Sequence, residues 1–195
     1  MATVMMHAVV SVDGFIADEN DEVGPLFDWY FNGDQSLTDG EDHGPFAVTA
    51  ASAAYVRPMW RSIRAIIQGR RLFDQTNGWE ASPPAGEHLL VVSHRPKPEG
   101  WHPEADVPFF TDVASAVEEG KRRAGDGVLA ICAGEVGGQA LAAGLVDVVA
   151  MDVVPVVFGR GKRYFGAIEG QHLLEDPEVV VRGDRVLHLS YPVRR

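Results

Sequence analysis

Short apolar runs recur along this chain, and each is closed by a turn signal. Val4 to Val12 is apolar, partly β-branched and followed by Asp13-Gly14, which predicts a buried first strand. Ala65 to Gln68, His88 to Ser93, Val107 to Thr111 and Val128 to Cys132 repeat that pattern. Val146 to Phe158 is a longer apolar run interrupted by Pro155. Val179 to Arg182 and Arg185 to Tyr191 flank Gly183-Asp184 and predict a closing hairpin. Between the runs lie stretches with helical character. Thr49 to Ile63 is one, and Pro58 should kink it or end it early. A second helix starts at Gly69-Arg70-Arg71. A third is capped by Asp112 and runs to about Ala124, with Ala114, Val117 and Lys121 at helical spacing. A fourth covers Gly137 to Ala143 and stops at Gly144. Residues 18 to 45 are polar and glycine-punctuated around an aromatic island, Phe27, Trp29, Tyr30 and Phe31. They predict a long functional loop with a short helix in it.

Strands alternating with helices and then an antiparallel finish imply an α/β fold. The expected architecture is a mostly parallel central sheet, helices on both faces and an antiparallel C-terminal hairpin. No composition shift marks a linker, so residues 1–195 read as one domain. At 46% hydrophobic and 23% charged, the chain has an ordinary globular composition. Its net charge of -11 argues against nucleic acid and anionic membrane surfaces as partners. A small anionic ligand needs only local positive charge. The single cysteine, Cys132, excludes an internal disulfide and a multi-cysteine metal site, and it reads as a buried inert thiol. No metal is expected. No signal segment or spanning run is visible, and a cytoplasmic location is expected.

The charged residues that stand out cluster where predicted strands end, which is where open α/β sheets bind ligands. Gly69-Arg70-Arg71 follows an apolar strand and opens a helix. That step can seat a phosphate on unpaired helix amides, a favourable dipole and two guanidiniums, although an Arg pair on a solvated helix face reads equally well. Ser93-His94-Arg95 offers a hydroxyl, an imidazole and a guanidinium, suited to a phosphate monoester; the alternative is a polar turn before Pro96. Ala133-Gly134-Glu135-Val136-Gly137-Gly138 can bring backbone amides to a pyrophosphate, or be an ordinary glycine-rich turn. No Gly-x-Gly-x-x-Gly follows the first strand, so the usual dinucleotide fingerprint is missing.

Four passages together carry a family resemblance. They are Ser11-Val12-Asp13-Gly14-Phe15-Ile16-Ala17, Gly69-Arg70-Arg71-Leu72-Phe73, Val91-Val92-Ser93-His94-Arg95-Pro96 and the block from Gly134 to Phe165. In order and spacing, from near residue 4 to near 192, the chain resembles the dihydrofolate reductase-like superfamily. Within it, the chain is similar to stand-alone relatives of the C-terminal reductase domain of bifunctional riboflavin biosynthesis proteins. The resemblance implies a three-layer dihydrofolate reductase-like fold and NADPH as cofactor. It implies that Gly69, Arg70 and Arg71 hold phosphate on the adenosine side, and that Ser93, His94 and Arg95 recognise the 2′-phosphate. It places Gly134, Glu135 and Val136 at the pyrophosphate and Val9, Ile16 and Ala17 around the nicotinamide. The chain departs from the family pattern in three places. Ala133-Gly134 replaces the usual Gly-Gly. Gly24-Pro25-Leu26-Phe27-Asp28-Trp29 stands where dihydrofolate reductases carry Leu-Pro-Trp, which leaves pterin specificity open. One cysteine excludes the zinc deaminase half of the bifunctional enzymes.

On the substrate side the candidates are Asp13 at the end of the first strand, then Asp28 and Trp29 as acid and stacking partner. Asp13 also reads as an Asp-Gly turn residue and Trp29 as a loop anchor. Trp79 reads either as a closing group or as structural. His7 reads as a core histidine, and Arg57, Arg61 and Arg64 as a solvated helix face. Lys162 and Arg163 read as surface charges. The implied activity is NADPH-dependent hydride transfer to a small polar heterocyclic or carbonyl/imine substrate. Its nearest named form is reduction of 5-amino-6-(5-phosphoribosylamino)uracil, with dihydrofolate reduction as the enzymatic alternative. A nucleotide-binding module without turnover is the alternative of another class, and a deazaflavin in place of nicotinamide stays open. A homodimer is expected, with the run near Val153 and the terminal hairpin as its surface.

Overall fold

The computed structural model describes residues 1–37 and 46–194. The end of the predicted long loop, residues 38–45, lies outside the described residues. In chain order the elements are β1 (Thr3–Ser11), β2 (Phe15–Ala17), a 3-10 segment (Gly24–Phe31), β3 (Gln35–Ser36), β4 (Ala47–Val48), α1 (Ala50–Ser62), β5 (Ile63–Gly69) and α2 (Arg70–Thr76). There follow a left-handed turn at Asn77–Ala81, β6 (His88–Val92), β7 (Phe109–Phe110), α3 (Val113–Ala124), β8 (Val128–Cys132) and α4 (Glu135–Ala142). The chain closes with β9 (Val148–Val154), β10 (Lys162–Arg163), β11 (Val179–Arg182) and β12 (Leu187–Pro192).

Eight strands form one sheet in the order β11-β12-β9-β1-β8-β5-β6-β7. β9, β1, β8, β5, β6 and β7 run parallel, and β12 and β11 turn back antiparallel at one edge. The parallel strands are buried on both faces, which is why they read as unbroken apolar runs rather than as alternation. Val4, Met6, Val10, Ile67, Leu129 and Ile131 pack against α3 and α4. On the opposite face Val9 meets Leu26, Trp29 and Tyr30 of the 3-10 segment and Ala53 and Val56 of α1. Further along that face Met5, Ile66 and Ala130 pack with Phe73 of α2. The expected α/β fold, with a mostly parallel sheet, helices on both faces and an antiparallel finish, is what the chain forms.

Details differ for identifiable reasons. β9 ends at Val154 rather than Phe158, because Pro155 has no N–H to give an interior ladder. α1 continues through Pro58 to Ser62; burial of Ser52, Ala53 and Val56 holds the helix together despite the proline. α4 begins at Glu135, two residues before the expected start, directly after Gly134. The buried stripe of α3 is Val113, Ala116, Val117, Gly120 and Ala124, so Ala114 faces outward. Asp112 caps that helix as expected, its Oδ1 accepting from the Ser115 amide at 2.8 Å. The two-stranded pairs β2–β10 and β3–β4 were not predicted, since strands of two or three residues carry no readable period. β9 is flanked on both sides, so the run near Val153 offers no edge. β11 is the outer strand there, with Val180 exposed.

Gly138 fixes how closely α4 approaches the segment after β10, because a Cβ there would collide with the Phe165 carbonyl oxygen. That contact is to backbone and cannot rotate away. Gly138→Ala should therefore lower unfolding free energy by about 1–3 kcal/mol, the usual cost of overpacking. Chemical denaturation of wild type and variant measures it, and an unchanged midpoint would contradict the close approach.

Candidate active site

Because β1, β8, β5 and β6 are parallel, their carboxyl ends share one margin of the sheet. β8, β5 and β6 are consecutive in the sheet, so the three passages that follow them lie side by side. The contacts between them are direct. A Cβ on Gly69 would sit 3.1 Å from Cγ2 of Val136, and one on Gly134 would sit 3.3 Å from Cδ1 of Ile16. Gly134 holds φ +100° and ψ -151°, a conformation only glycine adopts at low cost. Its amide donates to the Tyr164 carbonyl at 2.6 Å, and the Ala133 amide donates to the His7 carbonyl at 3.2 Å. No side chain caps the N-terminus of α2 or α4, so amides at two adjacent strand ends stay available. Open amides, a glycine cradle and neighbouring guanidiniums fit the phosphates of a dinucleotide.

The cations at this margin are already engaged. Asp74 accepts from Arg70 Nε at 2.7 Å and from Arg95 Nη2 at 2.6 Å, tying α2 to the turn after β6. Arg70 also donates to the Pro96 carbonyl at 2.9 Å. Burial pushes the Asp74 carboxyl up, but hydrogen bonds and charge from Arg70 and Arg95 outweigh that and hold it below its ordinary value. Arg71 pairs with Asp21 at 3.0 Å, and Lys162 approaches the same carboxylate at 3.5 Å. Lys162 therefore belongs to this margin. Ser93 is buried and its hydroxyl closes its own turn, accepting from the Arg95 amide at 2.9 Å and donating to the Arg95 carbonyl at 2.7 Å. His94 and Glu135 are exposed. Sequence reasoning passed over Asp74, though its position four residues after Arg70 was the signal available.

Among the described residues no hydrogen bond or ring contact joins the substrate-side candidates to one another. Asp13 accepts from the Ser11 hydroxyl at 2.6 Å and from the Gly159 amide at 2.7 Å, locking the turn after β1 to the loop after β9. The Ser11 hydrogen bond, helped by the Gly159 and Phe158 amides, lowers its carboxyl, so it stays ionised rather than donating a proton at neutral pH. Asp28 is exposed on the 3-10 segment. Trp29 is buried, stacked on Tyr30 with centroids 4.0 Å apart, and its ring faces the core. Val9 and Ala17 are buried and Ile16 is half-buried beside Gly134. Trp79 packs with the cluster around Phe73. Arg57 donates to the Ser36 carbonyl, and Arg64 lies near the amino end of β5, at the opposite margin. Gln68, one residue before Gly69, is fully buried and its amide has no hydrogen-bond partner among the described residues.

One polar cluster was missed. On the face of the sheet that carries Val9, His7 Nε2 lies 3.0 Å from Asp152, whose other oxygen lies 2.6 Å from His188 Nδ1. His188 Nε2 lies 3.0 Å from the Ser52 hydroxyl. Burial pushes the Asp152 carboxyl up, but the charges and hydrogen bonds of His7 and His188 outweigh it and bring the carboxyl down to about 2. An acidic residue inside the apolar run Val148 to Val154 was the available signal, since a buried carboxylate requires a partner. Among the described residues no group of three or more His, Cys, Asp or Glu could hold a metal ion, and no helix is long and apolar enough to cross a membrane.

The three-layer arrangement, a mostly parallel sheet with helices on both faces and an antiparallel edge, is that of the dihydrofolate reductase-like fold. The profile of the RibD C-terminal domain matches residues 2–188, and the chain belongs to that family. Solved structures agree on the fold. A Shewanella sp. PV-4 protein assigned to riboflavin biosynthesis superposes with TM-score 0.69 at 21% identity, with 100% of each chain covered. A diaminohydroxyphosphoribosylaminopyrimidine deaminase/5-amino-6-(5-phosphoribosylamino)uracil reductase from Thermotoga maritima superposes with TM-score 0.62 at 15% identity. There 99% of this chain covers 57% of that one. Dihydrofolate reductase from Enterococcus faecalis, complexed with NADP(H), superposes with TM-score 0.56 at 15% identity, covering 99% of this chain and 97% of that one. No curated protein matches the sequence.

The Asp152 carboxyl is lowered from 3.8 to about 2 on folding. A depressed carboxylate adds stability that is complete above its unfolded pKa and is lost as pH falls through the folded value. Stability should therefore drop between about pH 4 and pH 2. Asp152→Asn should be less stable at neutral pH and show a shallower acid slope in that window. Urea midpoints measured from pH 5 to pH 2 decide it, and parallel slopes for both proteins would refute the assignment.

Proposed function

We propose that this protein is an NADPH-dependent reductase of a small polar heterocyclic or carbonyl/imine substrate. Its nearest named activity is reduction of 5-amino-6-(5-phosphoribosylamino)uracil. Family membership and reductase neighbours support an oxidoreductase. The observation that carries the cofactor reading is the alignment of three strand ends on one margin, with Gly134 against Ile16 and Gly69 against Val136. NADPH would supply hydride when bound. Gly134 would let the pyrophosphate approach closely and Glu135 and Val136 would present amides to it, and Gly69, Arg70 and Arg71 would hold phosphate beside them. Ser93, His94 and Arg95 would receive the 2′-phosphate, with Arg95 leaving Asp74 to do so. Val9, Ile16 and Ala17 would form a dry wall that keeps water from the reacting carbon. Asp13 would act by fixing the turn after β1, since its oxygens are already bound. The homodimer expected from the sequence would use the outer strand β11, where Val180 is exposed.

Calorimetric titration with NADPH and NADH tests the reading. NADPH should bind more tightly; equal affinity, or no binding by either, overturns it. Arg95→Ala should weaken NADPH about tenfold or more, as expected for a lost charged hydrogen bond, and leave NADH nearly unchanged. Oxidation of NADPH in the presence of pyrimidines or pteridines, followed by absorbance, separates an enzyme from a module that only binds.

A further inference from the structure

The polar cluster on the Val9 face has an orientation that packing alone does not require. His188 and Asp152 are 0% and 2% exposed, whereas the His7 side chain is 17% exposed. The chain Ser52, His188, Asp152, His7 thus starts in the core and opens at one end only. His7 uses Nε2 toward Asp152, and its Nδ1 has no hydrogen-bond partner among the described residues. In the sheet His7 is level with Cys132 of β8 and Ala150 of β9. Its carbonyl holds the Ala133 amide, the residue just before Gly134. The imidazole shares a face of β1 with Val9, two residues before it, on the side of the sheet covered by the 3-10 segment and α1.

The surroundings leave His7 as the group able to exchange a proton there. From β8, the Cys132 thiol is pushed up to about 12 by burial. From the 3-10 segment and α1, the hydroxyls of Tyr30 and Tyr55 are both raised, by burial first and then by the Asp152 charge, Tyr55 to about 12. Tyr164, reaching Ala150 from the other face, is raised for the same reasons. From β9, Asp152 stays ionised, and from β12, His188 is enclosed. Asp13 is held ionised by its own turn. Imidazole can serve as donor or acceptor at either ring nitrogen, and a carboxylate bound to one nitrogen fixes the orientation of the other.

We propose that His7 is the proton donor of the reaction, with Asp152 and His188 as positioning residues. The proposal rests on the reductase reading. Reduction of a C=N or C=O bond adds two electrons and one hydrogen at carbon, and the π pair moves to the heteroatom. That heteroatom takes a proton from Nδ1 of His7, the imidazole is left neutral, and solvent returns the proton through its exposed edge. A bound nicotinamide nucleotide would provide the hydride and be left oxidised, so charge and electrons balance.

The test compares the wild-type 195-residue chain with His7→Gln, which keeps a side-chain N–H donor at that position. NADPH affinity by calorimetry should be equal in the two proteins. Single-turnover reduction should slow by about 100-fold or more, the usual contribution of a general acid, and the wild-type dependence of rate on pH should flatten. Independently of turnover, imidazole NMR of the ligand-free wild type should show the His7 resonances moving on addition of 5,6-diaminouracil, with His188 unmoved. Equal reduction rates, an unchanged pH profile, or His7 resonances that ignore the pyrimidine would overturn the proton-donor role while the reductase reading stands. Failure of wild type to bind NADPH would remove the reductase reading, and the proton-donor role with it. Should His7→Gln fail to fold, the NMR titration of wild type still decides.

Discussion

The parallel pairing of β1 with both β8 and β9 is the constraint on which the rest of the molecule depends. Thr3 to His7 pair with Val128 to Cys132, and Met5 to Ser11 pair with Val148 to Val154. β1 is buried on both faces, so its register decides which side chains meet the helices and which meet the 3-10 segment. A slip of one residue would exchange Met6 for His7 and separate the imidazole from Asp152. The same pairing sets Ala133 against the His7 carbonyl and so fixes where α4 begins. Hydrophobic burial and site geometry are not separable in this strand.

Charge is distributed against the background of a chain with net charge -11. The positive groups at the carboxyl margin of the sheet are compensated by nearby carboxylates rather than left to solvent. Asp74 serves Arg70 and Arg95, and Asp21 serves Arg71 and Lys162. These pairs are partly exposed, so each adds little to stability, but together they hold α2, the turn after β6 and the turn after β2 in mutual register. In the core the logic is different. Asp152 is fully enclosed, and two imidazoles are what make its charge tolerable.

Much of the fold was legible in the sequence because parallel strands buried on both faces leave plain apolar runs. Val128 to Cys132, the Asp112 cap and the hairpin around Gly183 were readable from local chemistry alone. β2, β3, β4 and β10 were not, since pairing partners distant in sequence create them. The strand-end passages Gly69-Arg70-Arg71, Ser93-His94-Arg95 and Gly134-Glu135-Val136 could be read as neighbours, because parallel strands end on one side. The pairing of Arg95 with Asp74 could not, because it joins α2 to the turn after β6 through side chains. His7, Asp152 and His188 are spread over three strands, and only the sheet order shows that they touch. Trp29 shows the converse: an aromatic island in a polar loop suggests recognition, yet its indole is part of the core.

Asp74 would change what selectivity at this margin means under the proposed function. An arginine that faces water gains the whole interaction when a phosphate arrives. Arg95 already has an anion at 2.6 Å, so an incoming phosphate would exchange with a resident carboxylate and gain only the difference between two counterions. Discrimination between a ribose with and without phosphate would then be smaller than for a solvent-facing arginine. It would also depend on the second ionisation of the phosphate, because a dianion competes with the carboxylate better than a monoanion does.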